Sequence, residues 1–523
     1  MRFLTPAGLG LFVMILCAPA APASTLTRDA DPVVLTGADL PWFLGLGVDR
    51  IVAFRWVGGL GWVQIPVQVD ERKYADYGDV YNQGAVGAGR VDYADPDTYC
   101  GADPDPTFDA DDELVFAAKD AGERADYGVR RPNGVDVNSG VQVRINDPLD
   151  GGIGYVYLFE SYGTLPQDAG EDYVTYTFDL LSGPYIPTYN TTAGPNPENS
   201  TATSAFYRTH FADRWIRDEI NVYAGAATGV DIFDRHKNLF APGNCTRSED
   251  TFSDGEGAFF ANVDGPVRGI RSYMGANSGP ATQRVHYFYE KRHDMVTYLR
   301  VHSISGVMDL YDYSPAATGM TYANDLNPAG VLVDGVPDVV TTGLFAWEMV
   351  TGLQGTLTMS EWIDTDIAGL TPTSYYSDDA TPSVTQCTGD AFEYATSGVW
   401  INQGIPNTDP LLGATNFLNA VRVVYYDPPG QTVPDAETRD AQARTPLTHT
   451  VTQFVRPPWD FDYDGDVDLS DYGVFLSCYN GPANPPAQAG CDAADADGDG
   501  DVDLTEYGEF LDCYNGPNNP PAC

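Results

Sequence analysis

The chain has 523 residues, 43% of them hydrophobic and 12% aromatic, which supplies two or three folded cores and rules out a mainly disordered chain. Acidic residues outnumber basic ones 74 to 28, for a formal charge of −46. With no cluster of Lys or Arg, nucleic acid and anionic membrane surfaces are poor partners.

The first predicted element is a signal peptide over residues 1–23. Arg2 carries the positive charge, LGLFVMILCA supplies ten apolar residues, and Ala21-Pro22-Ala23 places small residues before a cleavage point at Ser24. Ten residues are too few to span a bilayer, and no other apolar run approaches the roughly 18 required, so no transmembrane segment is expected. Leu16 before Cys17 speaks against a lipid-anchored cysteine. The mature chain is therefore expected to be secreted or exposed at the cell surface, where disulfides are the default state of cysteines.

From 24 to 456, short β-rich runs bounded by Gly, Pro, Asn and Asp follow one another: DRIVAFRWV, WVQIPVQV, ELVFAA, GYVYLFE, YVTYTFD, QRVHYFYE, MVTYLRVH, VRVVYY and LTHTVTQFV. The pattern predicts a mainly β body of antiparallel β-sandwiches. A break at GTLPQDAGED divides it into a smaller domain at 24–165 and a larger one at 166–456. IPVQVDERKY and FDADDELVFAAKDAG resemble segments of uncharacterised exported bacterial proteins. DGPVRGIRSYMG, leading into HYFYEKRHDMVTYLRVH, is similar to the strand pattern of mutarotase-like and polysaccharide-lyase-like domains, which implies a β-supersandwich.

The body contains no GxSxG, HExxH, P-loop or CxxC motif. Carboxylates adjoin Trp in MSEWIDTD (Glu361, Asp364, Asp366) and FAWEMV (Glu348), as they do in many glycan sites, with ordinary strand-end acids as the competing reading. DPDPTFDADDE (Asp103, Asp105, Asp109, Asp111) reads either as a calcium loop or as an acidic turn before ELVF. If KRHD is a tight turn with Lys291 opposite Asp294, then Tyr289 faces Val296, Tyr287 faces Tyr298 and Val285 faces Arg300. Alternation then gathers Tyr287, Tyr289, Tyr298, Arg300 and His302 on one side of a hairpin. Tyr298, Arg300 and His302 become candidate catalytic residues of a uronate lyase, a sugar-binding face, or half-buried aromatics around a structural ion pair.

The tail, 457–523, repeats itself. DFDYDGDVDLSDY begins at Asp460 and DADGDGDVDLTEY at Asp495. The first copy sets Asp460, Asp462, Asp464, Asp468 and Asp471 at positions 1, 3, 5, 9 and 12 of a twelve-residue loop; the second sets Asp495, Asp497, Asp499, Asp503 and Glu506 there. Those are the side-chain ligand positions of an EF-hand, with Asp466 and Asp501 as further carboxylates and Gly465 and Gly500 at the turning position 6. Two calcium ions are expected, because a dense set of hard oxygens favours calcium over zinc. Val467 and Val502, at position 8, predict a short β pairing between the loops. Each loop leads into a helix capped by Asp468 or Asp503, with Asp471 or Glu506 completing a capping box. Tyr472, Phe475, Leu476 and Tyr479, matched by Tyr507, Phe510, Leu511 and Tyr514, form its apolar stripe. Asn-Gly ends each helix.

No entering helix precedes either loop, so the tail resembles the type I dockerin module, a small α-helical F-hand pair. The resemblance implies calcium binding and attachment to a cohesin-like or other cell-surface docking protein. Positions 10 and 11 are Leu469-Ser470 and Leu504-Thr505 here, where clostridial dockerins typically carry Ser-Thr, so the calcium chemistry carries over and the partner does not. By position in the repeats, Cys478 is expected to pair with Cys491 and Cys513 with Cys523; Cys245 would pair with Cys387, leaving Cys100 free. Two functions stay open. One is an attached surface or matrix protein that contacts polysaccharide without cleaving it; the other is an extracellular glycoside hydrolase or polysaccharide lyase.

Overall fold

The computed structural model describes residues 24–126, 129–182, 196–241, 247–254, 257–277, 279–382, 392–454, 458–462, 466–484, 491, 493–517 and 523. The signal segment and the expected Cys245–Cys387 pair lie outside the described residues. The fold is mainly β, with a small helical module at the C-terminus.

Each of the nine β-rich runs is found in a strand. WVQIPVQV is cut in two because Pro66 has no amide to give a ladder. Gly61–Ile65 joins one sheet and Gln68–Asp70 another.

The largest sheet has nine strands in the order Ala258–Val263, Gly269–Ala276, Gly279–Phe288, Arg292–Tyr298, Leu418–Asp427, Gly355–Thr365, Trp347–Gly352, Thr321–Asn324 and Asn327–Leu332, antiparallel throughout. Its register puts Arg284, Met295, Arg422, Met359 and Glu361 on one face. Over that face lies a four-stranded sheet, Phe233–Phe240, Val307–Tyr313, Glu393–Ile401 and Thr373–Asp379, which shares an apolar core with it. A second four-stranded sheet, Val174–Thr177, Ser200–Ser204, Tyr207–Phe211 and Arg217–Val222, packs beside it; Tyr207 stacks on Tyr426 at 3.9 Å, and Phe211 meets Phe288.

The opposite face is covered by the N-terminal part of the chain: Val285, Tyr287 and Tyr298 pack against Tyr93, and Tyr289 against Val115. That part has its own core, centred on Leu35, Phe43, Phe116, Val143 and Leu158. Thr448–Gln453, which the sequence reading places in the larger unit, pairs along Val141–Asn146 in the smaller one. The chain thus returns to the sheet formed by Ile51–Val57, Gly61–Ile65, Val141–Asn146 and Ile153–Glu160 before it reaches the tail.

Buried ion pairs join these layers. Arg268 meets Asp70 and Glu113, each at 2.7 Å. Arg271 holds Glu198 by two bonds of 2.8 and 2.6 Å, both residues fully buried. A planar guanidinium suits such two-pronged pairing, and 24 of the 28 basic residues are Arg. Truncating one partner strands the other charge in the core, so Glu198→Ala is expected to cost about 3–5 kcal/mol in urea unfolding. Glu198→Leu combined with Arg271→Met is expected to cost less than Glu198→Ala alone.

Candidate functional site

Between the nine-stranded sheet and the sheet that covers it runs a buried polar seam. Asp309 accepts from Arg284 Nη2 at 2.6 Å and pairs with Arg422 Nη1 at 2.9 Å and His236 Nε2 at 2.7 Å. Arg284 also donates to Asn238 Oδ1 at 2.8 Å, and its Nη1 lies 3.3 Å from His236 Nδ1. The tautomer that fits has Nε2–H donating to Asp309 and Nδ1 accepting from Arg284. Arg422 lies over the Tyr311 ring at 4.1 Å and makes a second ion pair with Glu361. Glu348, on the neighbouring strand, accepts from the Tyr322 hydroxyl at 3.1 Å.

Burial fixes what these groups can do. It drives the His236 pKa down to about 3, with Arg284 and Arg422 pushing the same way against Asp309. Asp309 stays ionised despite its burial, held well below the usual carboxylate range by His236 and the two guanidiniums. Burial raises Glu361 and Glu348. His236 and Asp309 are committed to one another and to the arginines. Glu361 is not, because its Oε2 has no hydrogen-bond partner among the described residues.

The sequence singled out Glu348 and Glu361 but not His236, Asp309, Arg284 or Arg422. The signal was there: a charge in the middle of an apolar strand, as in VRVVYY or QRVHYFYE, is buried only with partners. Asp364 and Asp366 do not join the seam. Asp364 is exposed, 3.4 Å from Asn419 Nδ2, and Asp366 accepts from Phe417 N at 2.9 Å. The acidic turn at 103–111 spends its carboxylates on its own amides: Asp103 accepts from Asp105, and Asp109 from Asp111.

The hairpin turn lies two residues earlier than the sequence reading has it. Tyr289 N donates to Arg292 O, so Tyr287 faces Asp294, Val285 faces Val296 and Gln283 faces Tyr298. The slip is an even number of residues, so Tyr287, Tyr289 and Tyr298 keep a common face. That face is covered: Tyr298 lies 4.1 Å from the Arg90 guanidinium, and Tyr287 is 3.3 Å from the Tyr93 hydroxyl. Arg300 and His302 lie beyond the end of the strand. Arg300 sits over Tyr77 at 4.8 Å, while His302 Nδ1 is 2.8 Å from the Ser303 carbonyl.

The tail brings its acids together. Helices Leu469–Cys478 and Leu504–Cys513 begin at Asp468 and Asp503, whose carboxylates accept from Ser470 N at 2.6 Å and Thr505 N at 2.7 Å. Asp471 and Glu506 complete both capping boxes. Carboxylate oxygens of Asp460, Asp462 and Asp471 lie within 4.8 Å of one another, as do those of Asp466, Asp468 and Asp471. The second loop repeats both trios with Asp495, Asp497 and Glu506, and with Asp501, Asp503 and Glu506. Position 12 therefore belongs to both trios in each loop. Gly500 turns its loop at a φ of +94° while its amide donates to Asp495, a backbone shape that favours glycine. Asp499 accepts from Asp501 N at 3.1 Å, whereas Asp464 and Gly465 lie outside the described residues. This all-oxygen donor set fits a calcium ion in each loop.

The two repeats brace each other. Asn480 N and Gly481 N, just past the first helix, donate to Val502 O at 3.0 and 3.1 Å; Asn515 N and Gly516 N donate to Val467 O, each at 3.2 Å. The position-8 valines thus accept from the opposite helix end rather than pairing with each other. Phe475 and Phe510 stack at 5.4 Å in a shared core with Trp459. Leu476 and Leu511, expected on the same stripe, are largely exposed. Disulfides Cys478–Cys491 and Cys513–Cys523 close the repeats, and Cys100 is a buried free thiol.

No family model and no curated protein matches the chain. Among solved structures it is similar to an alpha-mannosidase from Enterococcus faecalis V583, with 10% identity and a TM-score of 0.38 over 83% of this chain and 45% of that one. It is also similar to a heparan sulfate lyase from Pedobacter heparinus, with 8% identity and a TM-score of 0.26 over 46% of this chain and 36% of that one. The chain spans less than half the length of either, and neither likeness carries an activity over to it.

The seam has a consequence for acid stability. The unfolded chain protonates His236 near pH 6.5, while the folded chain resists until about pH 3. Between those values the unfolded state binds the extra proton, so stability falls as pH falls, by up to about 1.4 kcal/mol per pH unit from this residue. Urea unfolding at pH 7 and pH 5 is expected to show an acid-side slope about one proton smaller in His236→Gln.

Proposed function

We propose that this protein is exported and held at a cell surface or matrix by its tail, a dockerin-like calcium module, with the β body facing extracellular glycans. The observation that supports this reading is the pair of matched carboxylate cages in the tail, each braced by the end of the other's helix. The tail holds 15 acidic residues and no Lys or Arg. Two calcium ions reduce that charge and hold the loops against their own repulsion. The disulfides suit an oxidising compartment. Leu469 and Leu504, at position 10 of the two loops, are the most exposed large apolar side chains among the module's described residues, so each repeat offers a docking protein the same apolar contact.

The catalytic alternative has less support. Tyr287 and Tyr298 are half-buried against Tyr93 and Arg90, and Glu348 is fully buried.

Calorimetric titration of the calcium-free full-length chain is expected to find two ions, with Asp471→Ala and Glu506→Ala each removing one. Chelation is expected to lower the tail's helix signal and leave the main unfolding transition of the body in place. At a calcium concentration about 100 times Kd the ions would stabilise each site by about 2.7 kcal/mol. Binding of fewer than two ions, or a helix signal indifferent to chelator, contradicts the proposal.

A further inference from the structure

The five-stranded sheet of the N-terminal part has Thr448–Gln453 as one edge, followed by Val141–Asn146, Ile153–Glu160 and Ile51–Val57. Its register aligns Thr452, Gln142 and Tyr157 in one row and Thr450, Arg144 and Tyr155 in the next. Alternation turns both rows away from the core that holds Val141, Val143 and Ile145. Ile51–Val57 pairs with Ile153–Glu160 only as far as Phe54 and Tyr157; beyond them Gly122 bridges Tyr155 and Glu123 bridges Trp56. A Cβ on Gly122 would lie 2.4 Å from Trp56 O, so this close approach needs glycine. The chain then rises onto the outer face of the sheet. Ala125 N donates to the Tyr157 hydroxyl at 2.6 Å, and Arg124 joins Arg144 in lining a groove of about 280 Å³.

From this geometry we infer that the groove binds an acidic sugar, a ring carrying a uronate carboxylate or a sulfate ester, whose charged oxygens are taken by Arg124 and Arg144. Carboxylates outnumber basic residues 74 to 28 in this chain, yet neither guanidinium has an ion pair or a side-chain hydrogen bond among the described residues. No carboxylate among the described residues lines the groove, and Glu123, next to Arg124, is turned to Gly58 N at 3.1 Å. Gln142 forms a built donor within it. That side chain is only 7% exposed, and the Tyr157 hydroxyl, which accepts from Ala125 N, gives its own proton to Gln142 Oε1 at 3.3 Å. The amide orientation is thereby fixed, and Nε2, with two hydrogens and no partner among the described residues, is left to the groove.

A guanidinium holds an oxyanion through parallel N–H bonds, and two of them suffice for one anionic group while falling short of a phosphate backbone. A bare anion would leave the rest of the groove unused. Thr450, Thr452 and Gln142 match the hydroxyls of a ring, Tyr155 offers an aromatic face to its C–H groups, and the space approaches the roughly 300 Å³ of small-molecule pockets. The net charge of −46 repels anions from afar, but at about 0.15 M salt that repulsion fades over about 8 Å, so contact groups decide. This inference rests on the glycan-facing part of the reading above and is independent of its calcium part.

The test is a ligand-observed NMR titration of the calcium-loaded full-length chain. D-Glucuronate, D-galacturonate and a monosulfated D-glucose are the acidic rings, D-glucose is the neutral ring, and sulfate and acetate are anions without a ring. At least one acidic ring is expected to bind about tenfold more tightly than D-glucose or either bare anion, and the uronate and sulfate arms tell which oxyanion is preferred. Arg124→Gln and Arg144→Gln, both at exposed side chains, are each expected to weaken that binding about tenfold and to leave the thermal unfolding transition in place. Thr450→Glu sets a carboxylate at the exposed edge of the groove and is expected to abolish binding, again without moving the transition. Failure of all three acidic rings, bare anions binding as tightly as the rings, or undiminished affinity in either arginine variant overturns the inference. Binding of D-glucose alone overturns it and leaves the glycan-facing reading standing, whereas binding of no sugar counts against both.

Discussion

A guanidinium set in the middle of an apolar strand has to be answered by acceptors from the layer above it, and Arg422 is answered twice. Glu361 meets it from the next strand of its own sheet, and Asp309 reaches it from the covering sheet. Asp309 in turn gathers Arg284 and His236. The sandwich can close in one alignment, because a slide of either sheet by one residue pair would leave a buried charge unanswered. Hydrophobic burial supplies most of the driving force on either side of this seam, but it is indifferent to small slides. The ion network is not.

Arginines join layers at other buried contacts too. Arg268 ties the N-terminal strands to the large sheet through Asp70 and Glu113, and Arg292 does so through Asp31. A strongly acidic chain has carboxylates to spare and few cations, and the buried Arg28, Arg268 and Arg422 each meet two carboxylates. Burial lowers the His236 pKa and raises that of Glu361.

The tail solves the opposite problem, acid without any base. Its loops converge on trios of carboxylates that share the position-12 acid, and its helices share one aromatic core. Because each helix end is bound to the carbonyl of the other repeat's position-8 valine, neither loop can open without disturbing its twin. Opening of one loop is thereby coupled in geometry to the other.

Local chemistry decided much of this in advance. The nine β-rich runs, the capped tail helices and the acidic loops are set by residues within a few positions of one another, through alternation, capping and ligand spacing, and a sequence carries such information directly. Residue parity alone also placed Tyr287, Tyr289 and Tyr298 on one face. Whether that face is open was decided by Arg90 and Tyr93, about 200 residues upstream, and no local pattern encodes such cover. Likewise the chain's return along Val141–Asn146 and the meeting of His236, Arg284, Asp309, Glu361 and Arg422 depend on pairings across long stretches of chain. Those pairings are chosen by the packing of whole sheets, since a buried charge in a strand announces that it needs a partner without saying which one.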